Sequence, residues 1–455
     1  MFPRMEGVSG SHTLLGMEIK QEEWPVGDCG EELAAANREF ALAHPGESGK
    51  RQPVHTFYGG AHLFKSDVVR RLGSLAERAL AEYAPDAATF AAATGIPAAL
   101  ADNVYARVAE KLHREPVEDL RLDFEDGYGN RPDAEEDATA DSAAAEVAKG
   151  FKEGTLPPFI GIRIKPLNQE LKRRSLRTLD RFLNALFDQT GGLLPENFVV
   201  TLPKITVPEQ VSALLEALDQ FGELRMEMMI ETPQSVFQLP GMLEEARGRC
   251  VAAHFGIYDY TASLGITATN QHMLHPACDF ARYMMQISLA GTGVRLSDGA
   301  TNIMPVPVHR GDGLSESQVA ENRAAVHRAW KLHCLHIRHS LDSAFYQGWD
   351  LHPAQLPSRY AAVHAFFLEG LESSSERLRN FIAKAAQATL VGDVFDDAAT
   401  GQGLLNYFLR AINCGAIQEA DAPALTGLSL EELRSASFAK ILDGRKKPVE
   451  AKPSV

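Results

Sequence analysis

Two stretches of the sequence decide the fold: residues 226–233, MEMMIETP, and residues 253–260, AHFGIYDY. Each is a short apolar run that ends in an acid, Glu231 in the first and Asp259 in the second. Buried parallel strands have this pattern, with functional groups at their carboxyl ends. A helix-start carboxylate and a turn residue are the simpler interpretations of the two acids. Their joint occurrence at two strand ends favours a site, and two such oxygen ligands could bind Mg²⁺.

Similar apolar runs recur along the chain and alternate with helical patterns. We predict eight strands, over residues 52–60, 119–126, 159–166, 197–205, 225–232, 250–259, 294–306 and 348–353. The helices between them include residues 207–221 and the long segment 316–346, which Ser315 and Gln318 open as a capping box. Eight such units indicate an α/β fold, a (β/α)8 or TIM barrel. A doubly wound open sheet is the alternative, although no GxGxxG follows the first strand.

The sequence on either side of the barrel pattern predicts two additions. Residues 1–50 form an N-terminal elaboration with one helix expected over residues 31–44, and the catalytic barrel spans residues 51–357. From residue 358 the pattern contains helices only, over residues 358–371, 374–390, 401–413 and 430–442. We therefore expect a helical C-terminal appendage over residues 358–445 that acts as a lid on the catalytic face, followed by a charged tail at residues 446–455.

Composition limits the partners and the compartment. The 455 residues carry a formal charge of −15, which argues against nucleic acid because a phosphate backbone needs a basic surface. The five cysteines are scattered and form no CxxC pair, which suits reduced thiols in a cytoplasm. No run approaches the roughly 18 apolar residues of a membrane span, and the first residues lack the apolar region of a secretory signal. A cytoplasmic enzyme with no membrane partner is expected.

Charged residues at the predicted strand ends form the candidate site. In a barrel, the carboxyl ends of all strands meet at one mouth, so residues distant in sequence can share a site. The charged or polar residues at these ends are Asp123, Glu125, Asp126, Arg163, Lys204, Glu231, Asp259, Asp298 and His352. Strands rarely contain so many charges unless these pair or bind something. The set suits a metal ion and an oxyanion.

Arg163 is expected to point into the barrel. In residues 159–166, Ile160, Ile162 and Ile164 share one face of the strand, and Arg163 lies on the other. One face of each barrel strand looks inward, where a guanidinium needs partners, and Asp123 with Glu125 on the neighbouring strand could supply them. A purely structural link between the two strands is the alternative role.

Seven short motifs resemble those of a known superfamily, and they occur in its order over about residues 115–360. They are LDFED at residues 122–126, GIRI at 161–164, LPK at 202–204, IET at 230–232, FGIYDY at 255–260, DG at 298–299 and HPAQ at 352–355. In these motifs the sequence is similar to the HpcH/HpaI aldolase and citrate lyase beta-subunit superfamily, with malate synthase as a more distant relative.

The resemblance implies roles for individual residues. Glu231 and Asp259 would bind Mg²⁺ or Mn²⁺, and Arg163 would contact the substrate's carboxylate or the developing enolate oxygen. Asp123 and Glu125 would orient this arginine and the metal-bound water. Substrate contacts are also expected from Lys204, Asp298 and His352, although Lys204 could instead be a Schiff-base lysine. In the appendage, Asp396 and Asp397 resemble faintly the acid that some acyl-CoA relatives contribute from a lid, and a helix N-cap explains them equally well.

The resemblance also implies an activity. We expect a Mg²⁺-dependent carbon–carbon lyase that works through an enolate, on a 3-hydroxyacyl-coenzyme A substrate of malyl or citramalyl type. A class II aldolase acting on a 2-oxo acid is the main alternative. A malate-synthase-like acyltransferase, a thioesterase and a non-catalytic binding barrel are further ones. Relatives form trimers or hexamers, so a homo-oligomer is expected. The basic run Lys172, Arg173, Arg174 and Arg177 could bind coenzyme A phosphates or be a solvated helix face.

Overall fold

The computed structural model describes residues 29–46, 49–383, 389–391, 394–396, 398–435 and 437–446. The chain divides into two compact units, Met1–Pro45 and Gly46–Val455. The described part of the first unit contains helix α1, Cys29–Ala43, which confirms the helix expected there. None of the described helices is long and apolar enough to cross a membrane.

The second unit is built on a closed barrel of eight parallel strands that pair in chain order. The strands are β1 His55–Gly60, β2 Asp119–Asp123, β3 Phe159–Arg163, β4 Phe198–Leu202, β5 Arg225–Ile230, β6 Cys250–Phe255, β7 Arg295–Ala300 and β8 Gln347–Asp350. All eight predicted strands are confirmed, and so is the (β/α)8 fold. Several end earlier than predicted, because their acidic carboxyl ends turn away from the sheet to form the mouth.

Helices follow the strands and surround the barrel. They are α2 Val68–Tyr83, α3 Ala87–Thr94, α4 Ala101–Arg114, α5 Asp133–Glu153, α6 Lys172–Thr190, α7 Glu209–Asp219, α8 Pro233–Phe237, α9 Leu239–Glu245, α10 Ile257–Ser263, α11 Pro276–Leu289, α12 Glu316–Asp342 and α13 Leu356–Glu369. The capping box at the start of α12 is confirmed, since Ser315 Oγ accepts from the Gln318 amide and Gln318 Oε1 accepts from the Ser315 amide. These two bonds satisfy amides that a helix start leaves without partners.

The outward faces of the strands hold most of the apolar core. Ile160, Ile162, Val200 and Met228 are fully buried between the strands and the surrounding helices. Burying one such side chain stabilises the fold by roughly 1.5–3 kcal/mol, so this layer supplies much of the drive for folding. The alternation predicted for β3 is confirmed, because Arg163 contacts side chains inside the barrel while the isoleucines pack outside it.

A column of polar and aromatic contacts runs through the inside of the barrel. Arg121 Nη2 donates to Glu227 Oε2 at 2.6 Å, and the same oxygen lies 3.2 Å from His254 Nε2. Trp349 Nε1 donates to His254 Nδ1 at 3.1 Å, so the imidazole proton is on Nε2 and faces Glu227. The Trp349 ring lies 4.7 Å from the Tyr58 ring, over which Arg163 sits at 4.9 Å. The column therefore joins the two ends of the barrel.

The segment after α13 differs from the prediction of helices only. It contains α14 Leu371–Ala383, strands β9 Thr389–Val391 and β10 Val394–Asp396, and helices α15 Ala398–Asn413, α16 Ala422–Thr426, α17 Leu430–Arg434 and α18 Phe438–Lys446. β9 and β10 form an antiparallel pair where the sequence predicts the end of a helix. The helix expected over residues 430–442 is divided into α17 and α18. The division between barrel and appendage at residue 357 stays a prediction.

The described C-terminal helices do not cover the mouth of their own barrel. In α15, Arg410 Nη1 donates to Gln52 Oε1, just before the start of β1. The next turn continues this side, since Arg107 donates to the Gly415 carbonyl at 3.2 Å and His364 Nε2 lies 3.1 Å from the Cys414 carbonyl. These contacts place α15 at the amino ends of the strands, opposite the mouth. These contacts lend no support to a lid formed by these helices within one chain, and the lid stays a prediction.

The structure does not test the two aspartates predicted in the lid. Asp397 lies outside the described residues, and for Asp396 the structure describes only the backbone, which belongs to β10. That strand pairs with β9 beside α14 and α15. Their assignment as catalytic acids stays a prediction.

Candidate active site

A buried arginine–carboxylate pair holds one side of the mouth, where β2 and β3 end. Arg163 Nε donates to Asp123 Oδ1 at 2.7 Å and Arg163 Nη2 donates to Asp123 Oδ2 at 2.5 Å. Asp123 also accepts from the amides of Glu125 and Gly127 at 2.9 and 2.7 Å. A Cβ on residue 127 would lie 2.7 Å from Asp123 Oδ2, so glycine is needed for this approach. Burial alone would lower the pKa of Arg163, but Asp123 raises it, and the pair is ionic.

The remaining edge of the Arg163 guanidinium has weak partners. Nη1 lies 3.6 Å from Met229 Sδ and 3.4 Å from Glu125 Oε2. A thioether is a poor acceptor, and a contact of 3.4 Å is long for a charged hydrogen bond. Nη1 can therefore donate to a ligand while Nε and Nη2 stay fixed on Asp123.

Lys204 bridges the acids of the β2 end to those of the later strands. Its Nζ binds Glu125, lies 3.1 Å from Asp126 Oδ1 and lies 3.6 Å from Asp259 Oδ2. Burial would lower the pKa of Lys204, but Glu125, Glu231 and Asp126 together outweigh burial and the pKa is raised. A Schiff-base lysine needs a lowered pKa, so the geometry supports the pairing role. The φ angle of Lys204 is 51°, in the left-handed region that is strained for a residue with a Cβ. Strained backbone of this kind clusters at functional sites.

Burial raises the pKa of Glu125 to about 7, with Asp126 adding to the effect and Arg163 and Lys204 opposing it. This carboxylate is therefore suited to exchange a proton near neutral pH. It lies between Lys204 Nζ and Arg163 Nη1, so any ligand held by Arg163 comes close to it.

Glu231 is a buried carboxylate with little compensation for its charge. It follows β5, and its Oε1 accepts from the Lys204 amide at 2.7 Å. A Cβ on residue 256 would lie 2.3 Å from Glu231 Oε2, so Gly256 makes the space that this carboxylate fills. Burial, with repulsion from Asp259, raises the pKa of Glu231 to about 8. Asp259 lies in the first turn of α10 with a side chain that is 41% exposed, which leaves this side of the pair open to solvent.

The residues present fit a divalent cation. No three His, Cys, Asp or Glu side chains within the described residues converge into a ready metal cluster. Mg²⁺ does not need one, because it keeps several waters and binds through one or two carboxylates. Glu231 is a donor whose ionised form burial disfavours, and a cation beside it would restore that form. Glu231 and Asp259 are the residues that would hold the ion.

Two predicted substrate contacts have structural partners of their own. Asp298 points outward from β7, where Arg282 Nε donates to it at 2.9 Å and Ser340 Oγ at 2.6 Å. Its side chain links the strand to α11 and α12, so its contacts lend no support to a substrate role. His352 caps the turn after β8, since its Nδ1 accepts from the Ala354 amide at 3.2 Å. It is half-buried at the carboxyl end of β8, and its substrate role stays a prediction.

The sequence did not single out three residues that shape the mouth. Tyr58 and Met229 contact the Arg163 guanidinium, and Trp349 packs against the Tyr58 ring. Tyr58 and Met229 occupy inward positions of β1 and β5, which strand alternation could have identified. In the basic run, Arg174 and Arg177 both bind Asp137 on α5, so these two arginines are paired with acids of the neighbouring helix.

The fold defines a class of protein, that of the (β/α)8 barrels. A crystal structure described as a citrate lyase from Burkholderia xenovorans LB400 has this fold, with a TM-score of 0.52 and 17% identity over 82% of this chain and 96% of that one. The CitE protein from Mycobacterium tuberculosis, in complex with magnesium, acetoacetate and coenzyme A, gives a TM-score of 0.45 and 13% identity over 80% and 99%. A Haloferax volcanii malate synthase gives 0.41 and 13% over 71% and 87%. The Burkholderia xenovorans structure therefore shares the fold of this chain.

Within this class, a model for the domain of unknown function DUF6986 matches residues 33–441. The chain belongs to that family. No curated protein matches its sequence.

Proposed function

We propose that this protein is a Mg²⁺-dependent carbon–carbon lyase whose substrate is a 3-hydroxyacyl-coenzyme A thioester of malyl or citramalyl type. The observation that carries the proposal is the Glu231–Asp259 pair beside Arg163. Two neighbouring acids, one of them buried with a pKa of about 8, face a guanidinium that has donors to spare. A cation site next to an anion-binding group is what an enolate reaction needs. The similar structure described as a citrate lyase belongs to the same class of activity.

The bond changes of the cleavage assign the tasks. The 3-hydroxyl proton leaves to a base, the bond between carbons 2 and 3 breaks, and its electron pair moves into the thioester as an enolate. Carbon 3 leaves as the carbonyl product, and carbon 2 takes a proton. Lewis-acid stabilisation of the oxyanion is the chemistry that Mg²⁺ supplies when it is bound by Glu231 and Asp259.

The chain's own residues do the rest. Arg163 Nη1 donates to the carboxylate or oxyanion of the substrate while Asp123 fixes the guanidinium plane. Glu125 accepts the hydroxyl proton, because it lies beside Arg163 and has a pKa of about 7. Lys204 holds Glu125 and, through its amide, Glu231, so one residue positions both functions.

Turnover measurements test the reaction. The full chain is stripped with EDTA and assayed on malyl- and citramalyl-coenzyme A, with and without added Mg²⁺, by following the acetyl-coenzyme A and the 2-oxo acid released. We expect turnover with Mg²⁺ and none in EDTA. Undiminished activity in EDTA would falsify the metal-dependent mechanism, and borohydride trapping would then test Lys204 as a Schiff-base nucleophile.

Ligand-dependent stability tests the substrate class. Thermal unfolding is compared in Mg²⁺ with coenzyme A, acetyl-coenzyme A, pyruvate and oxaloacetate, since a ligand that binds the folded state raises Tm. We expect stabilisation by coenzyme A and its thioester. Stabilisation by pyruvate without any by coenzyme A would replace this substrate with a 2-oxo acid and make the protein a class II aldolase.

A further inference from the structure

The barrel has a second cavity at the end opposite the mouth. Its volume is about 380 Å³, and it is enclosed by the amino ends of β3 to β7 and by α15. Its lining includes Phe159, Arg225 and Arg295 at the starts of their strands, with Asn406 from α15. A cavity of this size accommodates a metabolite-sized ligand.

Arg295 has a partly buried guanidinium that pairs with no carboxylate of the described residues. Within the described chain its Nε, which is buried, has no hydrogen-bond partner, and Nη1 has a long contact of 3.4 Å to the Arg51 carbonyl. Its other neighbour is the Phe159 ring, 5.4 Å away. By contrast, a carboxylate binds each of the fully buried arginines of the described chain, Arg121, Arg163, Arg282 and Arg359. A buried cation is costly unless something pairs with it.

The other charges around the cavity add to the positive field. Arg225 also lines it and has no ion-pair partner among the described residues. Glu227 is the acid in the lining, and Arg121 already binds it at 2.6 Å. Burial lowers the pKa of Arg295, and repulsion from Arg121 and Arg225 lowers it further, whereas attraction to Glu227 acts to raise it. An anion entering here would pair with two cations and break no existing bond.

Part of the remaining wall is apolar. Phe159, Val199, Val251 and Leu289 contribute to the lining together with Tyr346. An inorganic ion would leave this surface without a partner, whereas an organic anion would cover it.

We propose that this cavity binds a small organic anion, with a phosphate or carboxylate head against Arg295 and Arg225 and an apolar body against Phe159 and Leu289. The site is separate from the mouth and shares no residue with the proposed lyase site. It therefore stands whatever the reaction at the mouth proves to be.

Calorimetric titration with phenyl phosphate tests the proposal on the full chain in EDTA. We expect a Kd of about 1 mM or tighter for the wild type, and no binding of phenol, which lacks the anion. Arg295→Met removes the charge at similar volume and should weaken binding about 10-fold or more. Arg225→Met should weaken it about threefold, because this side chain is exposed. Arg71→Met on α2 removes another exposed arginine and should change nothing.

Variants at the mouth separate the two ends. Glu231→Gln and Arg163→Lys should bind phenyl phosphate as the wild type does. If Glu231→Gln and Arg163→Lys lost binding while Arg295→Met and Arg225→Met retained it, the ligand would bind at the mouth. That result would overturn the proposal. Absence of wild-type binding at about 10 mM phenyl phosphate would overturn it as well. If Arg295→Met does not fold, Arg225→Met against Arg71→Met decides, because both positions are exposed and outside any ion-pair network.

Discussion

The two ends of the barrel carry opposite charge imbalances. At the mouth, acids outnumber bases; the acids are Asp123, Glu125, Asp126, Glu231 and Asp259, and the bases are Arg163 and Lys204. At the other end, Arg295 and Arg225 face a cavity whose acid, Glu227, is already bound to Arg121.

This difference in charge determines whether each end can bind a cation or an anion. A folded chain that leaves one sign of charge in excess has a place for a ligand of the opposite sign, because unpaired buried charge is costly. The mouth is thus suited to a cation, and the opposite end to an anion. Between them, the Arg121–Glu227–His254 contacts are internally paired and serve stability. Three substitutions and one binding measurement, in order of decreasing effect, can break or sharpen this division.

The largest effect is expected from Glu231→Gln. The amide keeps the shape of the side chain but loses the charged oxygen that would bind Mg²⁺, so turnover should fall by about 10³-fold or more. The melting temperature without Mg²⁺ should change little at pH 7, because burial raises the pKa of Glu231 to about 8 and the amide replaces a largely protonated carboxyl. Glu216→Gln on α7, an exposed carboxylate, is the matched control and should behave as the wild type in both assays. Full Mg²⁺-dependent turnover in Glu231→Gln would show that the Glu231–Asp259 pair has no part in the mechanism.

Glu227→Gln should mainly reduce stability. It breaks a buried ion pair and leaves Arg121 with less compensation, so the free energy of unfolding from urea titration should fall by about 3–5 kcal/mol. Arg121 holds the folded-state pKa of Glu227 below its usual value of 4.5, an effect that outweighs burial. Its stabilisation is therefore present above pH 4.5 and is lost as the pH falls, and the variant should show a flatter acid dependence. Glu223→Gln, exposed near the same end, is the control. A variant with unchanged stability and lost turnover would make this residue part of the reaction.

Arg163→Lys separates catalysis from structural support at the mouth. Lysine keeps the charge but cannot bind Asp123 through two nitrogens and donate to a ligand through a third. Turnover should fall by about 10²-fold with little change in melting temperature. Arg338→Lys, at an exposed pair with Glu369, controls for the exchange itself. Lower stability with near-normal turnover in the folded protein would assign Arg163 a structural role.

The smallest effect is a proton released when Mg²⁺ binds. With a pKa of about 8, Glu231 is mostly protonated at pH 7, and the ion needs the carboxylate form. Calorimetry in buffers of different ionisation enthalpy should detect about one proton released per ion at pH 7. Apparent affinity should rise up to tenfold per pH unit and level off above about pH 8. Affinity that is constant from pH 6 to 8 would contradict a protonated Glu231.

The fold and part of the mouth could be predicted from the sequence because both depend on local patterns. Eight apolar runs with charged ends predicted the barrel, and alternation in residues 159–164 placed Arg163 inside it. The same reasoning, applied to β7, would have placed Asp298 correctly. Leu296 and Ala300 share its face, and that face packs against α11 and α12.

Features that depend on distant contacts could not be predicted in this way. Arg295 lacks a carboxylate partner among the described residues because of how β3, β5 and β7 converge at their amino ends. No single stretch of sequence shows this convergence. Helical periodicity likewise predicted α15 but did not say which end of the barrel it contacts. The β9–β10 pair was missed because three-residue strands are too short to show alternation.

The column inside the barrel also restricts how this sequence can change over generations. Arg121 and Glu227 stabilise each other, and the loss of either alone leaves a charge inside the barrel. Arg121 also pairs with Asp119, which is equally buried, so a replacement that leaves no charge uncompensated involves all three positions. Family members that lack Arg121 should therefore lack Asp119 and Glu227 as well.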